Sequence, residues 1–214
     1  FCANQEAVEK FTLDKPALVC RWRMSNKKVP MLNRHIRALS ERLVQGEPLT
    51  HNMLSWAKQH VEWSLAEGDY TAHDGVLMLV IDINGNAAMT VGEYEPLADT
   101  SAKALRARSA EARSEADETG VAPELLAAVN DGELAFVAPA DECLCGTATL
   151  IEQLAQTKGI PVTRVDIPAQ LKGALFLVSD EHGVVPATDA DAAESDAATV
   201  AFFADGYEKL RARR

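Results

Sequence analysis

Short apolar runs alternate along this chain with stretches whose apolar residues recur every three or four positions. That alternation predicts strands and helices in turn. Residues 17–24 read as a strand, 25–28 as a polar turn and 29–31 as a short return strand. Asn33 is a candidate N-cap for a helix to about Val44, with Ile36, Leu39 and Leu43 on one face and Gly46 and Pro48 ending it. Thr50 caps a second helix whose stripe is Leu54, Ala57, Val61 and Leu65. Trp56 and Trp63 flank that stripe, and Gly68 closes the helix. Residues 76–83 form a nearly continuous apolar strand and 87–94 its return partner. Asn84-Gly85 between them predicts a two-residue hairpin turn with both residues at positive φ.

Residues 95–101, which include Pro96, predict a linker. A charged helix follows over 102–118, ended by Gly120, its Arg and Glu side chains forming a mostly solvated face. Asn130-Asp131-Gly132 predicts a turn and 133–137 a strand. A loop through Pro139 leads to a helix over 147–158, with Leu150, Ile151, Leu154 and Ala155 as its apolar face and Gly159 just past its end. Strands over 160–167, 174–179 and 184–188 are separated by a helical turn at 168–172 and a turn at 180–183. An acidic, Ala-rich loop over 189–196 precedes a final helix over 197–213, with cations at its C-terminal end. The organisation is α/β in two halves: an N-terminal α/β domain over 1–95, a linker over 96–101 and a C-terminal α/β domain over 102–214. Two mixed sheets covered by helices are expected, with a cleft near 95–101.

The length, 214 residues, fits one large domain or two small ones. Hydrophobic residues at 47% and charged residues at 25% exclude wholesale disorder. The net charge of −11 argues against an extended nucleic-acid surface but leaves room for a small anionic ligand at a local site. The longest apolar run, 76–81, is far short of the roughly 20 residues of a membrane span. With no signal segment visible, a cytoplasmic protein without membrane partners is expected. The chain opens on Phe1 rather than Met, so further residues are expected before it. Cys2, Cys20, Cys143 and Cys145 allow three disulfide pairings, and their spacing selects none. All four are read as reduced packing residues.

Several chemistries lack their motifs. His35, His51, His60, His73 and His182 show no metal-ligand spacing. There is no Gly-x-Ser-x-Gly elbow, no phosphate-cradling Gly-x-x-x-x-Gly-Lys-Ser/Thr and no Gly-x-Gly-x-x-Gly. A hydrolase, NTPase or dinucleotide enzyme of standard type is therefore not expected, and metal ligands are not read from the sequence. Two features remain. Gly146-Thr147-Ala148-Thr149 opens a predicted helix, where free N–H groups make an anion site; equally, Thr147 or Thr149 could simply cap the helix. Lys103 sits at a helix start, whose positive end disfavours an ammonium and so suits Schiff-base chemistry. The plain alternative is a solvated surface lysine.

The order and wording of three segments resemble the class IV fold of pyridoxal-phosphate enzymes, the group of branched-chain and D-amino acid aminotransferases and aminodeoxychorismate lyases. Pro30-Met31-Leu32-Asn33-Arg34-His35-Ile36-Arg37-Ala38-Leu39 resembles its strand-into-helix segment. Asp141-Glu142-Cys143-Leu144-Cys145-Gly146-Thr147, with Gly159-Ile160-Pro161-Val162 after the helix, is similar to its phosphate-binding stretch. Leu177 through Gly183-Val184-Val185-Pro186-Ala187-Thr188 resembles a later strand pair. The resemblance spans most of the chain. It implies an aminotransferase-like or lyase-like enzyme acting on an amino acid or amino-chorismate, with pyridoxal phosphate between two domains and a homodimer as the working unit. Lys103 then falls on the Schiff-base lysine, expected to face the cleft. Amides of Gly146, Thr147 and Ala148 fall on the phosphate grip.

Departures from the pattern are equally specific. The phosphate arginine falls on Ala38, with Arg37 one residue off. The threonine of the helix-start turn falls on Ala148. The later Gly-Thr pair becomes Ser179-Asp180, and an aspartate there repels a phosphate. Between Leu126 and Val137 one strand is predicted where the family has two, which leaves Glu133 as the substitute for the glutamate that meets the cofactor's pyridine nitrogen. The rival reading is a cofactor-free dimeric homologue acting as a binding or interaction module. Trp56 and Trp63 are the large amphipathic side chains available to its interface.

Overall fold

The computed structural model describes residues 12–68 and 74–213. Cys2 and His73 lie outside them. Strand β1 (Pro16–Arg23) pairs antiparallel with β4 (Val76–Asp82), which pairs antiparallel with β5 (Ala87–Gly92). Between β1 and β4 come α1 (Leu32–Ser40), a small hairpin of β2 (Leu43–Val44) and β3 (Glu47–Pro48), and α2 (His51–Glu67). Leu18, Cys20, Trp22, Leu77, Leu79 and Ile81 alternate along β1 and β4, so one face of this sheet meets Leu39, Ala57, Val61 and Leu65 of the two helices. Thr50 caps α2 by accepting from the Met53 amide at 3.2 Å.

The second half begins with α3 (Ala102–Thr119), capped by Ser101 and closed by Gly120 in the left-handed region. Its sheet has the order β10-β9-β6-β7-β8. The strands are β6 (Leu125–Asn130), β7 (Glu133–Val137), β8 (Val162–Val165), β9 (Ala174–Ser179) and β10 (Gly183–Pro186). Helices α4 (Gly146–Thr157) and α5 (Glu194–Arg211) complete the chain. Leu125, Ala127 and Val129 of β6 pack into one core with Ile151 of α4 and Phe203 of α5. Leu126 and Ala128 pack into another with Leu105 of α3. A strand buried on both faces shows a continuous apolar run, as β6 and β9 do. No helix among the described residues is long and apolar enough to cross a membrane.

The α/β class is as expected, but several elements differ. Only the larger sheet is mixed. Its one parallel pair, β7 with β8, is joined through α4, while the smaller sheet is antiparallel throughout. No strand forms over 29–31; Met31 instead takes a left-handed conformation at φ 58 and starts α1 two residues before Asn33 could cap it. Helix α1 stops at Ser40, whose hydroxyl takes up the Arg37 carbonyl at 2.6 Å. Gln45 and Gly46, at φ 53 and 82, then turn the β2–β3 hairpin. At Asn84-Gly85 only Gly85 has positive φ, because the loop is one residue longer. Gly85 N–H donates to the Asp82 carbonyl, and the Asp82 carboxylate accepts the amides of Asn84 and Asn86. A two-residue turn with both residues left-handed, as at Gln45-Gly46, occurs at Asp131-Gly132, φ 51 and 76, with its two amides held by the buried Asp196 carboxylate. That turn joins two strands where one was predicted.

Candidate functional site

The C-terminal half covers the free edge of β1. Val19 N–H donates to the Gly120 carbonyl at 3.0 Å and Arg23 N–H to the Asp180 carbonyl at 2.9 Å. Along this seam runs a cleft lined by Cys20, Trp22, His35, Ala38, Glu115 and Asp180 among others. Residues 95–101, expected beside it, do not line it. The cleft is narrow: about 50 Å³ is open to the centres of water molecules, room for a few waters.

At its floor α4 starts. Three first-turn residues, Gly146, Thr147 and Ala148, are buried, and Cys145 occupies the N-cap position without a side-chain cap bond. The cap comes from across the sheet. Asp180, in the β9–β10 turn, accepts the Thr147 amide at 2.7 Å, the Thr147 hydroxyl at 2.8 Å and the Gly146 amide at 3.3 Å. His35 Nδ1 lies 3.2 Å from the same carboxylate, at an angle that falls short of a hydrogen bond, and its ring stacks on Trp22. Neither Thr147 nor Thr149 provides the cap. Gly146 has no room for a side chain: a Cβ there would sit 2.4 Å from His35 Nδ1.

Burial pushes the Asp180 carboxyl up, but the His35 ring and the Thr147 donors outweigh it and hold it at about 2. The same carboxylate adds to burial in raising the nearby thiols, Cys20 to about 12 and Cys145 well above the ordinary range. Both are therefore inert packing residues. Cys143 is not: it is exposed, its thiol donating to the Glu41 carbonyl at 3.0 Å.

The upper wall of the cleft carries charge. Helix α3 was expected to solvate its charged side chains, yet Arg21 pairs with Glu115, Arg108 with Glu124 and Arg113 with Glu142. Glu124 is buried and takes Arg108 Nε at 3.1 Å and Nη2 at 2.5 Å. His182, whose pKa is lowered by burial, reaches the Tyr94 hydroxyl through Nδ1 at 3.2 Å.

The structure separates the residues named from the sequence. Gly146, Thr147 and Ala148 stay together at the start of α4. Lys103 is exposed, contrary to the expectation that it faces the cleft. Helix α3 buries Leu105, Ser109 and Ala112, and Lys103 stands two residues from Leu105, about 200° around the helix. Arg37 is exposed in a separate groove with Arg34 and Arg164, on the other side of α1 from His35. Glu133 is exposed at the far end of the β6–β7 hairpin; the carboxylates that line the cleft are Glu115, Glu124, Asp180 and Glu181. Glu124 immediately precedes β6 and has an arginine 16 positions earlier, too distant a pairing for local pattern to reveal.

The fold is that of class IV pyridoxal-phosphate enzymes. A provisionally named branched-chain amino acid aminotransferase from Thermotoga maritima matches with a TM-score of 0.60 at 14% identity, over 98% of this chain and 94% of that one. The fold IV transaminase CpuTA1 from Curtobacterium pusillum matches at 0.57 and 16%, over 92% and 86%. A hypothetical aminotransferase from Mycobacterium tuberculosis in its PLP-bound form matches at 0.55 and 12%, over 97% and 95%. Provisionally named 4-amino-4-deoxychorismate lyases, one from Legionella pneumophila, are also similar. No protein-family model matches the chain, and no curated protein matches it by sequence.

These likenesses fix the fold, not the cofactor, and the residues present here do not fit pyridoxal phosphate. A carboxylate already fills the helix-start donors that a phosphate would need. Ala38, where the resemblance places the phosphate arginine, carries no charge to pair with one.

Proposed function

We propose that this chain is a cofactor-independent form of the class IV fold, a dimeric binding or interaction module rather than an aminotransferase or lyase. One observation carries the reading: the Asp180 carboxylate sits on the Gly146 and Thr147 donors. A second anion there would meet charge repulsion and find its hydrogen bonds taken. The exposed position of Lys103 supports the same reading. The two sheets would head two units, over 1–95 and 102–214, linked by 96–101.

Titration with pyridoxal phosphate tests this directly. The expected result is no saturable yellow complex and no stoichiometric label on Lys103 after borohydride reduction. A saturable complex fixed on Lys103 would restore the enzyme reading, with an amino acid or amino-chorismate as substrate.

The dimer is expected to form through α2. Its buried stripe is Ala57, Val61 and Leu65, which leaves Trp56 and Trp63 outward at 43% and 62% exposure. Large exposed aromatics are enriched at interfaces and depleted elsewhere on surfaces. Light scattering should give twice the chain mass, and Trp63→Ala should shift the protein toward monomer. A monomeric wild type would rule out the dimer without bearing on the cofactor.

A further inference from the structure

We propose that Glu124, Glu181 and His182 form a divalent transition-metal site on the wall of the cleft. Their ligand atoms all lie within 4.8 Å of one another. A tetrahedral zinc-like ion with bonds near 2.0–2.2 Å holds its ligands roughly 3.3–3.6 Å apart, so small side-chain rotations would seat it.

The His182 side chain carries the argument beyond a cluster of acids. It is only 5% exposed, and its Nε2 faces Glu124 Oε1 at 3.9 Å, beyond hydrogen-bond reach. No hydrogen-bond partner for Nε2 exists among the described residues. Its other nitrogen lies 3.2 Å from the Tyr94 hydroxyl. When Nδ1–H donates there, Nε2 presents a lone pair to a carboxylate. Two electron-rich atoms then face each other in a buried place, an arrangement that a cation between them relieves. Metal-bound histidines are commonly oriented in this way, by a hydrogen bond from the nitrogen that does not bind.

The carboxylates are placed to contribute. Arg108 fixes Glu124 through both oxygens, and each oxygen keeps a second lone pair. Glu181 accepts no hydrogen bond from the described residues, and both glutamates line the cleft, which provides an entry path and an open fourth position for water. Imidazole in the set favours zinc or cobalt over magnesium or calcium, which prefer all-oxygen shells. Arg23 and Arg108 also face His182, and Arg21 faces Glu181, so their charge holds the affinity to a modest level.

The full chain, stripped with a chelator, should take up one cobalt(II) per molecule, with visible bands of a tetrahedral site and no thiolate charge-transfer band. Zinc should displace it. Glu181→Gln, on a half-buried side chain, should weaken binding roughly tenfold or more, and His182→Ala should abolish it. Cys143→Ala should leave it unchanged. No uptake overturns the proposal, as does binding that survives His182→Ala or that is lost with Cys143.

Discussion

Gly120→Ala is expected to be among the most destabilising single substitutions in this protein. Gly120 ends α3 at φ 70, and a Cβ there would lie 1.9 Å from the Ala17 carbonyl oxygen and 2.6 Å from its carbon. Those are backbone atoms of β1, which cannot swing aside as a side chain can. The left-handed strain alone costs about 1–2 kcal/mol. The overlap adds to it by forcing β1 from α3, and with it the Val19–Gly120 bond that seals the seam. A total on the order of 4 kcal/mol or more falls among the largest single-residue effects, against a typical 5–15 kcal/mol for a whole domain. Gly159→Ala is the matched control. Gly159 has the same φ of 70 but nothing within 4 Å, so only the strain should appear. Urea denaturation of the two variants separates the terms; equal losses would show that the seam tolerates the methyl group.

Local signals explain which parts of this fold were readable. Thr50, Gly120 and Gly159 mark helix ends through their own side chains or their freedom at positive φ, and each lies where pattern placed it, whereas the cap at Ser101 lies in the stretch read as a linker. Strand β6 was missed because Leu-Leu-Ala-Ala-Val has neither alternation nor many β-branched residues. Burial on both faces, by α3 and by α4 with α5, makes it a strand, and that is a tertiary fact. The extra residue in the Asp82–Asn86 loop depends on one carboxylate gathering two amides, which the Asn-Gly signal does not encode.

The site was legible to the same limit. The repulsion between Asp180 and a phosphate followed from residue type alone. That Asp180 caps α4 did not, since the β9–β10 turn must first be laid over a helix that begins 34 residues earlier. Likewise the outward position of Lys103 is decided by which stripe of α3 meets the sheet. Arg108, Glu124, Glu181 and His182 converge only because β6 and β9 are neighbours in the larger sheet.

Asp180→Ala should be destabilised by about 3 kcal/mol at neutral pH, the scale for removing a charged hydrogen-bond acceptor and leaving its buried donors unpaired. The loss has a defined pH dependence. In the folded protein Asp180 titrates at about 2, below its ordinary value of 3.8, because His35 and Thr147 favour the charged form over the opposing effect of burial. A lowered folded-state pKa stabilises above the unfolded value and ceases to do so as pH falls through the folded one. The gap corresponds to roughly 2–3 kcal/mol. Wild type and variant should therefore differ fully at pH 7 and converge between about pH 4 and pH 2. Removing the carboxylate also frees the Gly146 and Thr147 donors for an outside anion. Phosphate or sulfate should then raise the melting temperature of Asp180→Ala while leaving the wild type unmoved. Adding Ala38→Arg should strengthen that rescue by about 1–3 kcal/mol, the range for a hydrogen bond to a charged group. If phosphate rescues neither variant, the start of α4 is a helix end that needs a cap and nothing more. If it stabilises the wild type equally, Asp180 does not block the site, and the case against the cofactor fails with it.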